Sequence, residues 1–477
     1  MKITKIFAIG AALALMLASC DSYFDVDLEQ NIKTDDAYST VQDVQNGMIG
    51  AYYAFGTYRF YGRDVVALGD MASDLAQASP STGHFYSIYT YTFGDYDGDL
   101  EDIWNYGYKT IDRAVRTING GEKILAKADE LKLTEEDVEL VMTCMSQCYA
   151  LRAISTFTLT NIFGLPFKPG TANTQLGAVL LVDKPLEPFE QTHRSTVAEC
   201  YAQILRDIEL AKEYLVDEYY LPGEPAFFFN EAAIFALEAR VKLYMGNYVG
   251  AKEAAEQSLD LLKNGTNYDL PSNDIYVSSW SSIAVNDEDI FTISKTDDDN
   301  LSANALNTLY GSYRGDVTDA LFSLFDDTDI RAKVLDVYAY KYQGTSTAQA
   351  VSNIPVFRKS EMYLIIAECE AHLGNIADAQ HALFYTAKRN TAITSESELP
   401  ASVDELLEFI ADERARELYL EGHRFFDARR TGMLIDVING TAPNFDASKF
   451  VYPIPSGEIN AGFGVVQNEG WEDNLPE

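Results

Sequence analysis

Apolar residues recur every three or four positions along much of the chain, and this period predicts amphipathic helices. Thr134 begins one such segment with a capping-box-like Thr-Glu-Glu-Asp, and the Gly-Leu-Pro at 164–166 ends it. The helical pattern covers residues 41–58, 100–119, 134–163, 196–215 and 225–244. The first half of the chain is therefore predicted to be mostly helical.

Two later stretches, 233–259 and 363–389, share one helix–turn–helix pattern. Each places a small residue, Ala239 or Ala367, seven positions before a Gly-Asn pair. This pattern resembles the tetratricopeptide unit, in which small residues let two helices approach closely and glycine makes the turn. The two alanines lie 128 residues apart. We therefore expect units that pack as pairs of helices, with long insertions between the units, rather than a tandem array.

Two regions depart from the helical period. Tyr89, Tyr91 and Phe93 alternate with polar residues, which predicts a short strand or hairpin. Residues 264–358 are rich in Asn, Asp, Ser, Tyr and Gly and are predicted to form a loop-rich insertion. The predicted fold is mostly α: a scaffold of tetratricopeptide-like helix pairs with long irregular insertions and a few short strands. The scaffold would occupy about 35–260 and 355–477.

The N-terminus carries the features of an export signal. Lys2 and Lys5 precede an apolar run at 6–17 that is too short to span a bilayer, which takes ~20 residues. The run ends in Leu-Ala-Ser-Cys, which resembles a bacterial lipobox with Cys20 as the lipid-modified residue. We expect residues 1–19 to be removed, Cys20 to be acylated and 20–34 to form a tether. The alternative is a plain secreted protein in which Cys20 is incidental.

Composition and charge narrow the class of protein. The chain has 477 residues, 47% of them hydrophobic, which is enough for one large folded domain over 35–477. Its formal net charge of −37 argues against nucleic-acid binding and against adsorption to anionic lipid. We expect a soluble body that contacts the membrane by its lipid anchor only.

Motifs for metal or cofactor chemistry are absent from the sequence. The five histidines form no H-E-x-x-H or H-x-x-x-H pattern, and no G-x-S-x-G, Walker or Rossmann motif occurs. Cys144 and Cys148 share a predicted helix face but have no further ligand-spaced partner, so we interpret them as core residues. We therefore predict no metal and no cofactor.

Two acidic segments leave alternatives open. Residues 95–99, Asp-Tyr-Asp-Gly-Asp, are dense in oxygen ligands and could bind calcium, although a solvated acidic turn is the favoured interpretation. In 412–430, carboxylates with His423 could form an acid–base set, although ion pairs to neighbouring helices are favoured. A glycoside hydrolase needs only two carboxylates at a set separation in the fold, so it stays open as a third possibility beside the two functions considered below.

Aromatic residues provide the candidate binding chemistry. The chain has 30 Tyr, 25 Phe and 3 Trp, and tyrosine combines a flat apolar face with a polar tip. Sugars stack their C–H faces on such rings, while Asp and Arg bind their hydroxyls. The residues that we predict to bind a glycan are Asp70, Asp74, Tyr86, Tyr89, Tyr91, Trp280, Tyr313 and Arg314.

The C-terminal block resembles the SusD/RagB family of surface lipoproteins. The resemblance rests on ADERARELYLEGHRFFDARRTG at 411–432 and FVYPIPSGEINAGFGVVQNEGW at 450–471. The segments 68–74 and 150–167 are also similar to family sequences, and the likeness spans nearly the whole chain. One departure is Ala-Gly-Phe at 461–463, where the family usually has Asn-Pro in the tail. The family's signature residues look structural and do not supply a binding site.

The resemblance implies a function. Family members sit on the outer-membrane surface, bind a glycan or in some cases a peptide, and deliver it to a SusC-type TonB-dependent transporter without catalysis. We therefore expect an oligosaccharide ligand, a SusC-like partner and a lipid-anchored, surface-exposed location at the outer membrane. The alternative is a tetratricopeptide-type scaffold lipoprotein that assembles outer-membrane machinery.

Overall fold

The computed structural model describes residues 37–216, 221–262, 270–345, 351–442, 445 and 450–471. The leader, Cys20 and the whole predicted tether at 20–34 lie outside these residues. Within the described ranges, every helix is too short or too polar to cross a bilayer.

Nineteen α-helices build the described part of the chain, as the sequence pattern predicts. The helices before residue 220 are α1 (Val41–Phe55), α2 (Asp64–Met71), α3 (Tyr86–Tyr89), α4 (Gly98–Leu125), α5 (Ala128–Leu131), α6 (Glu135–Phe163) and α7 (Val197–Tyr214). The middle of the chain forms α8 (Glu231–Tyr244), α9 (Tyr248–Leu261), α10 (Asn273–Ser279), α11 (Leu306–Leu309), α12 (Asp319–Phe322) and α13 (Ala332–Leu335). The last helices are α14 (Lys359–His372), α15 (Ile376–Ala387), α16 (Val403–Leu418), α17 (Arg424–Thr431), α18 (Leu434–Ile438) and α19 (Ser456–Ala461).

The long helices α4 and α6 form the centre of the N-terminal half, with α1 and α7 packed against them. Thr134 caps α6 in a capping box with Asp137, as its sequence predicts. Glycines on α4 allow the close packing. A Cβ at Gly107 would lie 2.8 Å from a methyl carbon of Leu159 on α6, so a larger residue there would push the helices apart.

The two tetratricopeptide-like units form as predicted. The first is α8 with α9 and the second is α14 with α15. Gly246 and Gly374 make the turns with φ of +67° and +81°, a conformation that glycine adopts without steric cost. Helix α9 also packs directly on α14, so the two units are neighbours despite the long insertion between them.

Three short antiparallel pairs of strands complete the fold of the described residues. They are β1 (Ala76–Gln77) with β5 (Asp316–Val317), β2 (Leu176–Val179) with β3 (Arg194–Thr196), and β4 (Asp289–Ile293) with β6 (Ile354–Arg358). The register pairs Ala76 with Val317, Leu176 with Thr196, and Asp289 with Arg358.

The strand or hairpin predicted at Tyr89, Tyr91 and Phe93 is wrong. Tyr89 ends helix α3, and Tyr91 has a φ of +55°, which no strand residue adopts. The rings of Tyr91 and Phe93 instead pack on Phe450, at centroid distances of 5.8 and 5.7 Å. Their alternation therefore reflects a shared aromatic cluster in the core rather than a pleated strand.

A buried network of charges fastens the C-terminal helices to the insertion. Arg331 and Glu417 are fully buried and pair at 3.1 Å, and Arg331 also contacts Glu413 at 2.7 Å. His423 is buried, and both burial and nearby arginines lower its pKa well below the ordinary value, which keeps the imidazole neutral. The ion-pair interpretation of 412–430 is therefore confirmed.

Side chains of the C-terminal family segments, 411–432 and 450–471, form hydrogen bonds with backbone carbonyls at the end of α6. Arg429 donates to the carbonyl oxygens of Asn161 and Gly164, and Asn468 donates to that of Phe163 at 3.0 Å. The last carbonyls of a helix have no partner inside the helix, so these side chains replace water there. The motif residues are therefore structural.

The cysteines of the described chain are buried free thiols: Cys144, Cys148, Cys200 and Cys369. Burial raises the pKa of the Cys144 thiol to about 12, so it stays protonated at neutral pH. The prediction that Cys144 and Cys148 are core residues is confirmed.

Candidate functional site

The eight predicted ligand residues fall into two groups in the structure. Four are held by internal contacts, and four stay at the surface, on helix α3 and on the loop at 313–314. We consider the internal ones first, because their contacts correct the sequence-based prediction.

Asp70 is completely buried in α2. Its carboxylate accepts the backbone N–H of Leu420 at 3.1 Å and of Gly422 at 2.6 Å. Burial raises the pKa of Asp70 to about 8, although both hydrogen bonds favour the charged form. Asp70 therefore fixes the turn between α16 and α17 and is not available to a surface ligand.

Trp280 is only 5% exposed. Lys341 Nζ lies 4.8 Å from its ring centroid and the Arg358 guanidinium carbon lies 5.3 Å from it. The ring is therefore a cation–π partner of the buried charge network and not an open stacking face for a sugar.

Asp74 and Tyr91 are also engaged by the protein. The Asp74 carboxylate forms a bidentate ion pair with Arg424, with both contacts at 2.9 Å. The Tyr91 hydroxyl donates to the carbonyl oxygen of Ala72 at 2.5 Å, and burial raises its pKa far above the ordinary value. Both side chains therefore have structural partners where we predicted ligand contacts.

The surface group centres on Tyr313, whose ring stacks on His84. The two ring centroids are 4.2 Å apart and the rings are within 10° of parallel. Thr82 Oγ1 donates to the carbonyl oxygen of Tyr313 at 2.9 Å and joins their two loops. We call the following five residues the Tyr313 platform: His84, Tyr86, Tyr89, Tyr313 and Arg314.

Backbone conformation and strand pairing hold the platform in place. Strands β1 and β5 pair at the base of the two loops, at Ala76 with Val317. Phe85 turns back with a φ of +55° and buries its ring, which leaves Tyr86 at the surface, 36% exposed. Arg314 is exposed and also has a positive φ, of +60°. Conformations of this kind are uncommon for non-glycine residues and often mark functional loops.

The platform combines flat rings with polar tips and the exposed cation of Arg314. Burial and the nearby Arg63 lower the pKa of His84, so its imidazole is neutral at pH 7 and can both donate and accept a hydrogen bond. Such a surface can stack on the C–H face of a sugar and bind its hydroxyls. His84 was missed by the sequence analysis, because a single histidine between Gly83 and Phe85 carries no motif.

The acidic turn at 95–99 has a structural function next to the platform. Asp97 caps α4 by accepting the backbone N–H of Asp99 at 3.1 Å and of Leu100 at 3.2 Å, and it also accepts the Ser87 hydroxyl at 2.6 Å. Among the described residues, no group of three or more His, Cys, Asp or Glu side chains is arranged to hold a metal ion.

Comparison with known protein families agrees with this fold. The profile of the SusD family matches residues 330–471, and a second profile, described as "Starch-binding associating with outer membrane", matches residues 23–243. The chain belongs to the SusD/RagB family. SusD-like protein P2 of Formosa agariphila is 23% identical over 96% of this chain and 97% of its own length. Starch-binding protein SusD of Bacteroides thetaiotaomicron is 30% identical over 34% of this chain and 29% of its own.

Solved structures of SusD proteins share the fold. A SusD superfamily protein from Bacteroides vulgatus superposes with a TM-score of 0.76, at 28% identity over 91% of this chain and 99% of that one. A laminarin-binding SusD-like protein superposes with a TM-score of 0.70, at 22% identity over 91% of this chain and all of that one. The predicted mostly helical fold class and the resemblance to the SusD/RagB family are both confirmed.

Proposed function

We propose that this SusD-family protein captures oligosaccharides on the Tyr313 platform and delivers them, chemically unchanged, to a SusC-like TonB-dependent transporter. The observation that carries the proposal is the parallel stack of His84 on Tyr313, with Tyr86 and Tyr89 on the adjoining helix α3. Loops on a rigid helical scaffold are where ligands usually bind, and rings with polar tips suit carbohydrate.

The family supports the carbohydrate class of ligand. Its members include the starch-binding SusD protein, and a laminarin-binding protein has the same fold. Among the predicted residues, the platform keeps Tyr86, Tyr89, Tyr313 and Arg314 as direct contacts. Asp74 borders the same region, but its pairing with Arg424 makes it a weaker candidate for the ligand.

The proposed location is the outer-membrane surface, with acylated Cys20 as the membrane anchor. The family description of association with the outer membrane supports the location. The lipobox-like Leu-Ala-Ser-Cys supports the anchor. A strongly acidic body would add no attraction to anionic lipid, so the acyl chains would supply the membrane affinity.

A binding screen tests the capture function. The full-length protein, purified in a mild detergent, is titrated with soluble oligosaccharides and with a peptide pool. We expect at least one oligosaccharide to bind and to be recovered with no new reducing ends. Binding of peptides without any oligosaccharide would contradict the glycan assignment, and new reducing ends would contradict capture without catalysis.

The location and the partner need their own measurements. We expect protease added to intact cells to degrade the protein, and a SusC-like transporter to co-purify with it from outer membranes. A protected protein without a co-purifying transporter would instead favour the periplasmic tetratricopeptide scaffold.

A further inference from the structure

A second concavity adjoins the Tyr313 platform, between the end of α1, the middle of α4 and strand β4. Its cavity volume is about 630 Å³, within the ~300–1,000 Å³ that is typical of small-molecule sites. We call it the cationic groove and define it by the following rings and basic side chains of its lining: Tyr53, Tyr58, Tyr106, Phe228, Arg59, Lys109, Arg113 and Lys295.

Arg63 connects the groove with the platform. Its guanidinium lies 4.9 Å from the ring centroid of Tyr58, in the groove wall, and 5.6 Å from that of Phe85, beside the platform. Arg63 Nη1 also donates to Asn304 in the groove lining, at 3.4 Å. A chain of several sugar units could therefore contact both surfaces at once.

The sign of the charge in the groove is opposite to that of the protein. The whole chain has 36 basic and 73 acidic residues, whereas the groove lining has four basic side chains and one carboxylate, Asp299. Asp299 pairs with Lys295 at 3.1 Å, and Asp102, outside the lining, pairs with Arg59 at 3.1 Å. Such a concentration of positive charge in an acidic protein creates a local positive potential that attracts anions.

Two of the four cations have no carboxylate within ion-pair distance in the described parts of the chain. Lys109 is exposed, with Nζ 4.8 Å from the ring centroid of Tyr106. Arg113 donates through Nη1 to the carbonyl oxygen of Gly50 at 2.5 Å, and that contact leaves the rest of its guanidinium available. Both residues lie on α4, one turn apart, so they present their charge on the same side of the groove.

Aromatic rings accompany these charges. Tyr53 is 68% exposed on α1, and the ring of Tyr106 lies between the charges of Arg59 and Lys109, at 5.2 and 4.8 Å. A ring face beside a basic side chain suits a sugar that stacks its C–H face and carries an anionic substituent.

We propose that the cationic groove binds the anionic substituents of an acidic oligosaccharide, either carboxylates or sulfate esters. The inference rests on the proposed glycan capture and assigns its ligand class. The platform binds neutral sugar units of the oligosaccharide by stacking, and the groove selects for its negatively charged substituents.

Matched pairs of probes test the inference with the full-length protein. The first pair is an oligogalacturonate and its methyl ester, and the second is a sulfated galactan oligosaccharide and its desulfated form. We expect at least one charged probe to bind more tightly than its neutral partner, and its affinity to fall as salt rises, because screening weakens exposed charge contacts. The pair in which the charged probe binds more tightly shows whether the groove recognises carboxylate or sulfate.

Variants then assign the effect to the groove. Lys109→Gln should weaken binding of the charged probe by about threefold to tenfold and leave the neutral probe unchanged, because one charge-assisted contact is lost. Arg59→Gln, at a side chain that is 38% exposed, should act in the same direction. The matched control is Lys127→Gln, at an exposed lysine beyond the C-terminus of α4, which should change neither affinity.

The outcomes separate the inference from the proposed function. If neutral oligosaccharides bind and charged ones do not, or if the groove variants bind the charged probe as the wild type does, the inference is wrong and glycan capture stands. If no oligosaccharide of either kind binds, both proposals are wrong.

Discussion

Replacing Glu417 by glutamine would test whether the buried charge network holds the C-terminal motif together. The carboxylate of Glu417 lies 3.1 Å from Arg331 Nη1, 3.1 Å from Arg358 Nη1 and 3.0 Å from Arg389 Nε. The four side chains are at most 2% exposed. Glutamine keeps the shape and removes one negative charge among three guanidinium groups.

The size of the expected effect follows from burial. Removing one partner of a buried ion pair costs about 3–5 kcal/mol, because the remaining charge is left uncompensated. Burial alone would raise the pKa of Glu417, but the surrounding guanidinium groups outweigh it and lower the pKa from 4.5 to about 2. A shift of that size corresponds to about 3 kcal/mol, in agreement with the first figure.

The pH dependence has a definite sign. Since the folded pKa lies below the unfolded one, Glu417 stabilises the protein fully above about pH 4.5, and this stabilisation is lost as pH falls through about 2. Glutamine does not titrate. The difference in unfolding free energy between wild type and Glu417→Gln should therefore be constant from pH 7 to 5 and fall by more than half by pH 3.

Urea unfolding followed by circular dichroism at pH 7, 5, 4 and 3 measures this difference. The control is Glu408→Gln on the same helix, at an exposed position, which should cost less than about 0.5 kcal/mol. A cost at pH 7 no larger than that of the control, or a difference that does not shrink towards pH 3, would refute the reasoning.

Four further substitutions should change the free energy of unfolding measured in urea. Gly69→Ala should destabilise the protein by several kcal/mol, because a Cβ there would overlap the carbonyl group of Gly422. Gly50→Ala should stabilise it by about 0.5–1 kcal/mol, because Gly50 lies in the middle of α1 with open space beside it. Equal effects of the two substitutions would contradict the close contact of Gly69 with Gly422. Tyr91→Phe should lower the free energy of unfolding by about 1–3 kcal/mol, since the buried carbonyl of Ala72 loses its donor. It should leave glycan affinity unchanged, and weaker glycan binding would show that Tyr91 contacts the ligand after all. Thr134→Ala should cost about 1 kcal/mol through the lost N-cap of α6, and no measurable cost would mean that the cap is not formed in solution.

The helices could be predicted from the sequence because their signals are local. The capping box at Thr134 and the alanine and Gly-Asn spacing of the two helix pairs lie within one or two turns of each other. The packing of α9 on α14 could not be predicted, because it joins segments separated by the long insertion. The alternation at Tyr91 misled for the same reason, since the partner of that ring is Phe450, far along the chain.

The candidate site was predicted by residue type but not by position. Tyrosines on loops pointed to Tyr313, whereas Asp70 and Trp280 had the right chemistry and lie inside the protein. Their partners are distant in sequence: Asp70 binds the backbone of Gly422, 352 residues away. Residue composition shows which side chains could bind a sugar, and only the tertiary contacts show which of them are already engaged.

The most direct test of glycan capture on the platform is the affinity of Tyr313→Ala for an oligosaccharide that binds the wild type. Its matched control is Tyr248→Ala. The ring of Tyr248 stacks on that of His372 in the helical scaffold, with the centroids 4.0 Å apart, so this substitution removes a similar Tyr–His pair away from the platform. We predict that Tyr313→Ala binds about tenfold more weakly, the loss expected for one aromatic stacking contact, and that Tyr248→Ala binds as the wild type does. Equal affinities for wild type and Tyr313→Ala would contradict the account.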